Sequence, residues 1–357
     1  MNAEIKTITI FGGIVVAGIV FLFMLFTGLD EFSLTNLDLE SRKAPNLVGI
    51  AHYLNTSSEE LTKKMKDKVI LYDIWTYSCI NCIRTLPFIT SWDEKYSDQG
   101  LLIIGIHSPE FEFEKDPQNV KIAIEKYGIT YPVVMDNDMK TWKAFENNYW
   151  PRKYIADHEG KIRYDHIGEG SYQETEKIIQ QLLDERSEVM GFENISKNKL
   201  VSIEEFEHTL FRTPELYFGY KFAQNRNQLG SEEGFQPGRI VTYVEPTNTE
   251  LNKFYPIGNW KNHEDSMELT ESKGSIKVLF DAKEVNIVTE NNAQLEIFLD
   301  GIPLTKEFAG SDIYSKNKIN VSNPGMYNII SSDTIISRIM EIKVEGKGFQ
   351  VFTFTFG

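Results

Sequence analysis

Both cysteines of the 357-residue chain lie in one short block, Trp-Thr-Tyr-Ser-Cys-Ile-Asn-Cys, at residues 75–82. The block follows the apolar, β-branched run Val69–Trp75, which predicts a buried strand, and it leads into a helical pattern over 82–96. Free backbone N–H groups and the helix dipole at a helix N-terminus stabilise a thiolate. The sequence therefore predicts an exposed, reactive Cys79 at the start of a helix, with Cys82 one turn deeper and able to resolve a mixed disulfide.

The pattern around this block predicts an α/β domain over residues 45–186. Strand and helix patterns alternate along it: strands at 69–75, 101–106 and 131–135, helices at 82–96, 117–127 and 139–147, a hairpin at 153–155 and 161–164, and a closing helix at 172–183. Alternation of this kind favours a largely parallel sheet with helices packed on its faces.

After about residue 190 the pattern changes to short stretches with a period of two. They lie at 275–280, 284–288, 294–299, 326–330, 339–344 and 349–356, and glycine-containing turns separate several of them. We expect an all-β sandwich, of jelly-roll type, over 213–357. A linker over 187–212, with some helix around 203–208, would join it to the α/β domain.

The N-terminus contains 19 consecutive residues without a charge, at 8–26. At about 1.5 Å per residue, such a helix nearly crosses a bilayer core of roughly 30 Å. No clear cleavage site follows, so we expect a membrane anchor at 1–28, rather than a cleaved signal peptide, and a polar stalk at 29–44. Lys6 before the span, and acidic residues after it, favour a single-pass protein of the cytoplasmic membrane with its folded domains on the extracytoplasmic side.

The charge and cysteine content exclude two classes of protein. With 52 acidic and 37 basic residues, the chain has a net charge of −15, which argues against a nucleic-acid partner. Two cysteines cannot form a structural disulfide framework for a chain of this length. A zinc site would need two further ligands, and none of the six histidines are paired at ligand spacing. We therefore expect no cofactor or metal beyond a redox-active Cys79–Cys82 disulfide.

The block and its surroundings resemble the thioredoxin fold. Asp73 lies six residues before Cys79, where thioredoxins keep a buried carboxylate that handles the proton of the resolving cysteine. Pro87 matches the proline that kinks the active-site helix. Pro151 follows Trp150 just before a predicted strand, where the fold places a cis-proline loop that faces the disulfide.

Longer stretches resemble DipZ-type cytochrome c biogenesis proteins, and specifically their thioredoxin-like extracytoplasmic module. The stretches are 75–87, 107–116, 149–151, 168–172, 213–220 and 354–357, so the resemblance covers most of 45–357. It implies a thiol–disulfide oxidoreductase whose second domain is similar to a carbohydrate-binding module. The multi-span membrane domain that brings electrons across the bilayer in that family has no counterpart here, so we expect a separate membrane protein as electron donor.

The resemblance also implies how the site residues act. The Cys79 thiolate would attack a disulfide in a protein substrate, and Cys82 would release the reduced product with Asp73 as proton acceptor. The cis loop at Pro151 would present backbone groups to an extended substrate segment.

Three further residues are expected to contact the substrate: Trp75, Trp150 and Glu110. We expect Glu110 to lie with the other glutamates of 110–114 on a surface loop near the disulfide. Acidic runs of this kind are usually solvated, so a redox role for them is only one of two interpretations.

Two other functions remain open. Thr76, three residues before Cys79, fits a peroxidase of the peroxiredoxin type, although Tyr72 occupies a position where those enzymes favour proline. Alternatively, the chain is a surface protein whose β domain binds a glycan or envelope polymer. Trp260 and Tyr255 would then form a sugar platform, although aromatic residues in a β sandwich are more often part of the core.

Overall fold

The computed structural model describes residues 42–191, 199–206 and 213–357. The predicted anchor at 1–28 and most of the predicted stalk lie outside these residues. Within the described part of the chain, no helix is both long enough and apolar enough to cross a membrane. Residues 43–357 pack as one unit.

The N-terminal half is built on a mixed six-stranded sheet of order β1-β4-β3-β2-β5-β6. Its strands are β1 (His52–Leu54), β2 (Val69–Trp75), β3 (Leu101–His107), β4 (Val133–Met135), β5 (Arg152–Ala156) and β6 (Ile162–Ile167). Only the pairs β2–β3 and β3–β4 are parallel. The prediction of a largely parallel sheet is therefore wrong. The hairpin β5–β6 adds to β2 in antiparallel orientation, and the short strand β1 adds to β4 in the same way.

Five helices cover the two faces of this sheet. They are α1 (Ser58–Lys64), α2 (Ile80–Tyr96), α3 (Pro117–Lys126), α4 (Lys140–Ala144) and α5 (Tyr172–Met190). Every residue of β2 and β3 is buried, because helices pack on both sides of these central strands. Helix α5 continues past the predicted domain end at 186 and into the predicted linker.

The C-terminal half is a β-rich domain with one short helix, α6 (Tyr220–Ala223). Its strands are β7 (Leu216–Tyr217), β8 (Ile240–Tyr243), β9 (Phe254–Asn262), β10 (Met267–Leu269), β11 (Lys273–Glu290), β12 (Ala293–Leu299), β13 (Ile302–Pro303), β14 (Lys318–Val321), β15 (Gly325–Glu345) and β16 (Gln350–Phe356). All of them belong to one hydrogen-bonded network, which closes on itself because β9 pairs with both β10 and β11.

Two long strands replace four of the predicted short ones. β11 and β15 have 18 and 21 residues and pair over most of their length, from Lys273 opposite Glu345 to Thr289 opposite Gly325, with residues 332–335 of β15 left out of the register. The register is irregular after Ala282 and after Val285, and these irregularities interrupt the alternation of inward- and outward-facing side chains. The sequence pattern therefore predicted the end of one strand and the start of another in this region. The pairing nevertheless continues, so the hydrogen bonding shows no division into the two separate sheets that a sandwich predicts.

The predicted helix around 203–208 is absent from the part of the region between the halves that the structure describes. Residues 203–206 are not helical, and 207–208 lie outside the described residues. The two halves share one hydrophobic core, which runs without a break from the β2–β3 sheet to the β-rich domain. Residues at the carboxyl ends of β2 and β3 therefore lie beside the C-terminal domain.

Candidate functional site

The cysteine pair lies at the carboxyl end of β2, the central strand. Cys79 is the N-cap residue of α2, and its Sγ accepts a hydrogen bond from the backbone N–H of Cys82 at 3.3 Å. Cys79 is half-buried and Cys82 is fully buried, and both are free thiols. The more accessible sulfur is therefore the one that faces the N–H groups at the start of the helix.

A buried carboxyl group lies beneath the pair. Asp73, inside β2, is fully buried, and neither of its oxygens has a hydrogen-bond partner among the described residues. Burial raises the pKa of the Asp73 carboxyl to about 6, although the positive charge on Lys153 lowers it. Burial also raises the pKa of the Cys82 thiol well above its usual value, as do its hydrogen bond to Cys79 and the charges on Cys79 and Asp73. A carboxyl that titrates near neutrality beside a weakly acidic thiol is suited to accept a proton from it.

A buried lysine lies across the strand from this carboxyl. Lys153 on β5 is the register partner of Asp73 and is fully buried. Its Nζ donates to the carbonyl oxygen of Gly168 at 3.2 Å. Burial lowers the pKa of Lys153, while the charge on Asp73 opposes that change. The two groups thus form a pair of opposite charges, with each charge reducing the cost of burying the other.

The residues just before Cys79 are held by a second buried carboxyl group, that of Glu114. Its Oε1 accepts hydrogen bonds from the Thr76 hydroxyl, from the Ser78 hydroxyl at 2.6 Å and from the Ser78 backbone N–H at 3.3 Å. Its Oε2 accepts from the backbone N–H groups of Glu110 at 2.6 Å and Phe111 at 3.0 Å. Burial raises the pKa of Glu114, and the hydrogen bonds from Ser78 and Thr76 oppose the rise.

The glutamates of 110–114 were expected to lie on a surface loop. This is wrong for Glu114, which is buried, whereas Glu112 is exposed as expected. A single 3-10 turn over Glu112–Lys115 points Glu114 back toward the redox block.

His107, the last residue of β3, packs against the residues that precede Cys79. Its Nε2 lies 3.3 Å from the Thr76 hydroxyl, and its ring packs at 5.5 Å from Trp75 and 5.6 Å from Tyr77. Burial lowers the pKa of His107 to about 3, so the imidazole is neutral at physiological pH. It acts as a packing and hydrogen-bonding group.

The proline loop lies at the next strand end. The Trp150–Pro151 peptide bond is cis, and Pro151 is buried at the start of β5. Trp150 is half-buried; its Nε1 donates to the carbonyl oxygen of Ser108 at 3.0 Å, and its ring lies 4.2 Å from that of Trp142. Next to it, the side chain of Tyr149 is 51% exposed. The loop therefore presents aromatic surface at the end of the sheet that carries the cysteines.

Comparison with known proteins agrees with this geometry. Residues 40–183 match the Redoxin family, and residues 213–357 match the family described as thioredoxin like C-terminal domain. The thiol–disulfide oxidoreductase YkuV of Bacillus subtilis (strain 168) is 32% identical over 143 residues, which cover 40% of this chain and 94% of that protein. The chain belongs to the thioredoxin-like thiol–disulfide oxidoreductases. The predicted thioredoxin fold, family resemblance and enzyme class are confirmed.

Two further relatives extend the comparison of this oxidoreductase. Protein DipZ of Mycobacterium tuberculosis is 33% identical over 316 residues, which cover 88% of this chain and 43% of that protein. The chain thus spans less than half the length of the DipZ proteins that it matches. NHL repeat-containing protein 2 of Homo sapiens is 41% identical over 120 residues, which cover 33% of this chain and 16% of that protein.

Several residues predicted to bind a substrate lie elsewhere. Trp75 is fully buried, because both faces of β2 are covered, so its side chain is not accessible to a substrate. Glu110 is half-buried, and its Oε1 accepts a hydrogen bond from the Tyr217 hydroxyl of the β-rich domain at 3.0 Å. Trp260 and Tyr255 are buried in that domain, so they form no sugar platform at its surface. Of the three residues predicted to contact the substrate, only Trp150 lies in the partly exposed cis-proline loop at the end of the sheet that carries the cysteines.

Sequence reasoning missed Lys153 and the role of Glu114. A lysine within an apolar strand two residues after Pro151 was an available signal, because a buried lysine needs a partner. For Glu114 the sequence shows only one member of an alternating acidic run, and nothing local distinguishes it. Across the described residues, no group of three or more His, Cys, Asp or Glu side chains is arranged to hold a metal ion.

Proposed function

We propose that this oxidoreductase is anchored in the cytoplasmic membrane and reduces disulfide bonds in extracytoplasmic proteins with its Cys79–Cys82 pair. The observation that carries the proposal is the order of the groups: a half-buried sulfur at a helix N-terminus, a buried sulfur behind it, and a buried carboxyl group beneath both. The uncharged stretch at 8–26 and the similarity to DipZ support the membrane anchor.

The reaction has two thiol–disulfide exchange steps. In the first, the Cys79 thiolate attacks one sulfur of a substrate disulfide, forms a mixed disulfide and releases the other substrate sulfur as a thiolate. In the second, the Cys82 thiolate attacks the Cys79 sulfur, forms the Cys79–Cys82 disulfide and releases the second substrate sulfur. Two electrons pass from the dithiol to the substrate. A dithiol on a separate membrane protein would supply two electrons to restore the pair.

The second step requires deprotonation of a buried thiol, and this is the proposed task of Asp73. In its ionised form Asp73 accepts the Cys82 proton, and the positive charge on Lys153 keeps Asp73 ionised near neutral pH. Without an internal acceptor, a thiol whose pKa is raised by burial would be protonated and a poor nucleophile.

Substrate polypeptides would bind along the cis-proline loop. The backbone of Trp150, next to the cis peptide bond, would pair with an extended segment, and Tyr149 and Trp150 offer aromatic surface there. The structure offers less support to a peroxidase, because the Thr76 hydroxyl already donates its hydrogen to Glu114.

The proposal is tested by trapping the mixed disulfide. The full-length Cys82→Ser variant, incubated with a disulfide-containing protein substrate, is expected to accumulate a covalent adduct through Cys79, seen by mass spectrometry after tryptic digestion. The Cys79→Ser variant is the control and should give no adduct. Absence of the Cys79 adduct, with the variant folded, would disprove the mechanism.

A further inference from the structure

The C-terminal domain lies against the segment that holds the redox block. Phe111 and Phe113, on the stretch that ends at Glu114, both pack on Phe352 of β16, with ring centroids at 5.0 and 4.8 Å. The three rings are buried. The Tyr217 hydroxyl hydrogen bonds with Glu110 at the other end of the stretch. Residues 110–114, called the bridging segment below, are therefore fixed on one side by the β-rich domain.

The other side of the bridging segment faces residues 76–78, called the redox loop below. The Glu114 carboxylate joins these two pieces of chain: it accepts three hydrogen bonds from the redox loop, and two more from within the bridging segment hold the carboxylate in place. The Phe113 ring also lies 6.0 Å from the Tyr77 ring of the redox loop. Displacement of the bridging segment would therefore be passed to the redox loop.

The redox loop sets the position of the Cys79 sulfur. The Cys79 backbone N–H donates to the carbonyl oxygen of Thr76 at 3.4 Å, and the Cys79 Sγ accepts from the Cys82 N–H at 3.3 Å. Stabilisation of a thiolate by a helix N-terminus falls off within one turn, so it depends on where the sulfur lies. A shift of the redox loop would move the sulfur away from the N–H group that it faces.

We propose that the C-terminal β-rich domain is a positioning element for the redox site, and that it acts through Phe352, the bridging segment and Glu114 to hold the Cys79 sulfur at the helix N-terminus. This inference rests on the proposed role of Cys79 as the attacking sulfur. It gives the second domain a task in the thiol chemistry that needs no ligand of its own. Phe352 and Glu114 are positioning residues, since neither makes a described contact with a sulfur atom.

The test measures the reactivity of Cys79 without a disulfide substrate. In full-length Cys82→Ser protein, Cys79 is the sole thiol, and its alkylation by iodoacetamide as a function of pH reports the thiolate fraction. Adding Phe352→Ala should slow alkylation at neutral pH by about two- to fivefold, the size of a helix N-terminus interaction, and raise the pH of half-maximal rate. Adding Phe254→Ala, which removes another buried ring of the same domain, should leave the profile unchanged.

A double-mutant cycle tests the route through Glu114. The Glu114→Gln side chain keeps its shape, but its amide nitrogen cannot accept from the N–H groups of Glu110 and Phe111. If both residues act along one path, Phe352→Ala should have no further effect in the Glu114→Gln background. Persistence of its full effect there would overturn the route, and equal profiles for Phe352→Ala and Phe254→Ala would overturn the inference as a whole.

A milder variant and a separate readout keep the outcomes distinct. Phe352→Leu keeps part of the contact, so it should slow alkylation by less than Phe352→Ala does, but to a rate still measurably below that of Phe254→Ala. Should Phe352→Ala fail to fold, a profile for Phe352→Leu identical to that of Phe254→Ala also overturns the inference. Because alkylation needs no disulfide substrate, failure of the mixed-disulfide trap would disprove the proposed function and leave this measurement to decide the positioning role.

Discussion

Replacing Lys153 with methionine tests the proposed control of the Asp73 proton. Methionine retains the length and the apolar stem of the side chain but removes the charge. Asp73 and Lys153 are register partners on neighbouring strands and both are fully buried. Side chains directly opposite each other on neighbouring antiparallel strands have Cβ atoms about 5 Å apart. Two unit charges at about that separation, with an effective dielectric constant of about 20, interact by roughly 3 kcal/mol, or about two pH units. We therefore expect the Asp73 pKa to rise from about 6 by about one to two units.

The expected effect on rate follows from the ionised fraction of Asp73. With a pKa of about 6, about nine-tenths of Asp73 is ionised at pH 7. After a rise of about one unit the fraction is about one half, and after about two units it is about one tenth. The second exchange step should therefore slow by about two- to tenfold at pH 7. Loss of the Lys153 charge also disfavours the Cys82 thiolate, which acts in the same direction.

Ellman's reagent, a small aromatic disulfide, separates the two steps in one trace. The reduced protein releases one coloured thiolate when Cys79 attacks and a second when Cys82 resolves the mixed disulfide. In the Lys153→Met protein the first phase should keep its rate, while the pH midpoint of the second phase should move upward. Lys161→Met, which removes an exposed lysine near the same hairpin, is the control. An unchanged midpoint of the second phase in folded Lys153→Met protein would refute the assignment of Lys153.

Two further predictions concern stability. The folded-state pKa of Asp73 lies above its ordinary value of 3.8, so its ionisation opposes folding as pH rises from about 4 through about 6. The unfolding free energy of Asp73→Asn relative to wild type should accordingly increase by about 2 kcal/mol between pH 4 and pH 7 in urea titrations; a difference independent of pH would contradict the pKa assignment. Arg84 pairs with Glu284 of the β-rich domain at 2.9 Å and is largely buried, so Arg84→Met should cost about 1–3 kcal/mol, while Lys63→Met, from an exposed pair with Glu59, should cost less than about 0.5 kcal/mol. Equal losses in the two variants would contradict the assignment of Arg84 to a largely buried ion pair that joins helix α2 to the β-rich domain.

The sequence predicted best those elements whose signal is local and strong. The bounds of β2 were predicted to the residue, because the whole strand is apolar apart from Asp73 and is buried on both faces. β1 was missed, since its three residues are exposed or half-buried and carry no pattern. The break within β11 was predicted wrongly because a bulge and a strand end both interrupt alternation, and only the partner strand shows whether pairing continues.

Part of the candidate site was equally local. A Cys-x-x-Cys block between an apolar strand and a helix, with a carboxyl group in that strand, was visible because covalent spacing fixes these residues relative to one another. The same reasoning wrongly predicted that Trp75 contacts the substrate. Trp75 is close to Cys79 in sequence, but sequence proximity does not reveal that its side chain is buried.

The sequence by itself determined the chemistry of this oxidoreductase: two cysteines at a strand–helix junction, a buried acid behind them and membership of a known family. The tertiary structure decided the environment of that chemistry. It placed Lys153 opposite Asp73 through strand register, turned Glu114 inward onto the redox loop, and set Phe352 against the segment that carries Glu114. These contacts join residues far apart in the chain, and their partners follow from register and packing, which local propensity and spacing do not encode.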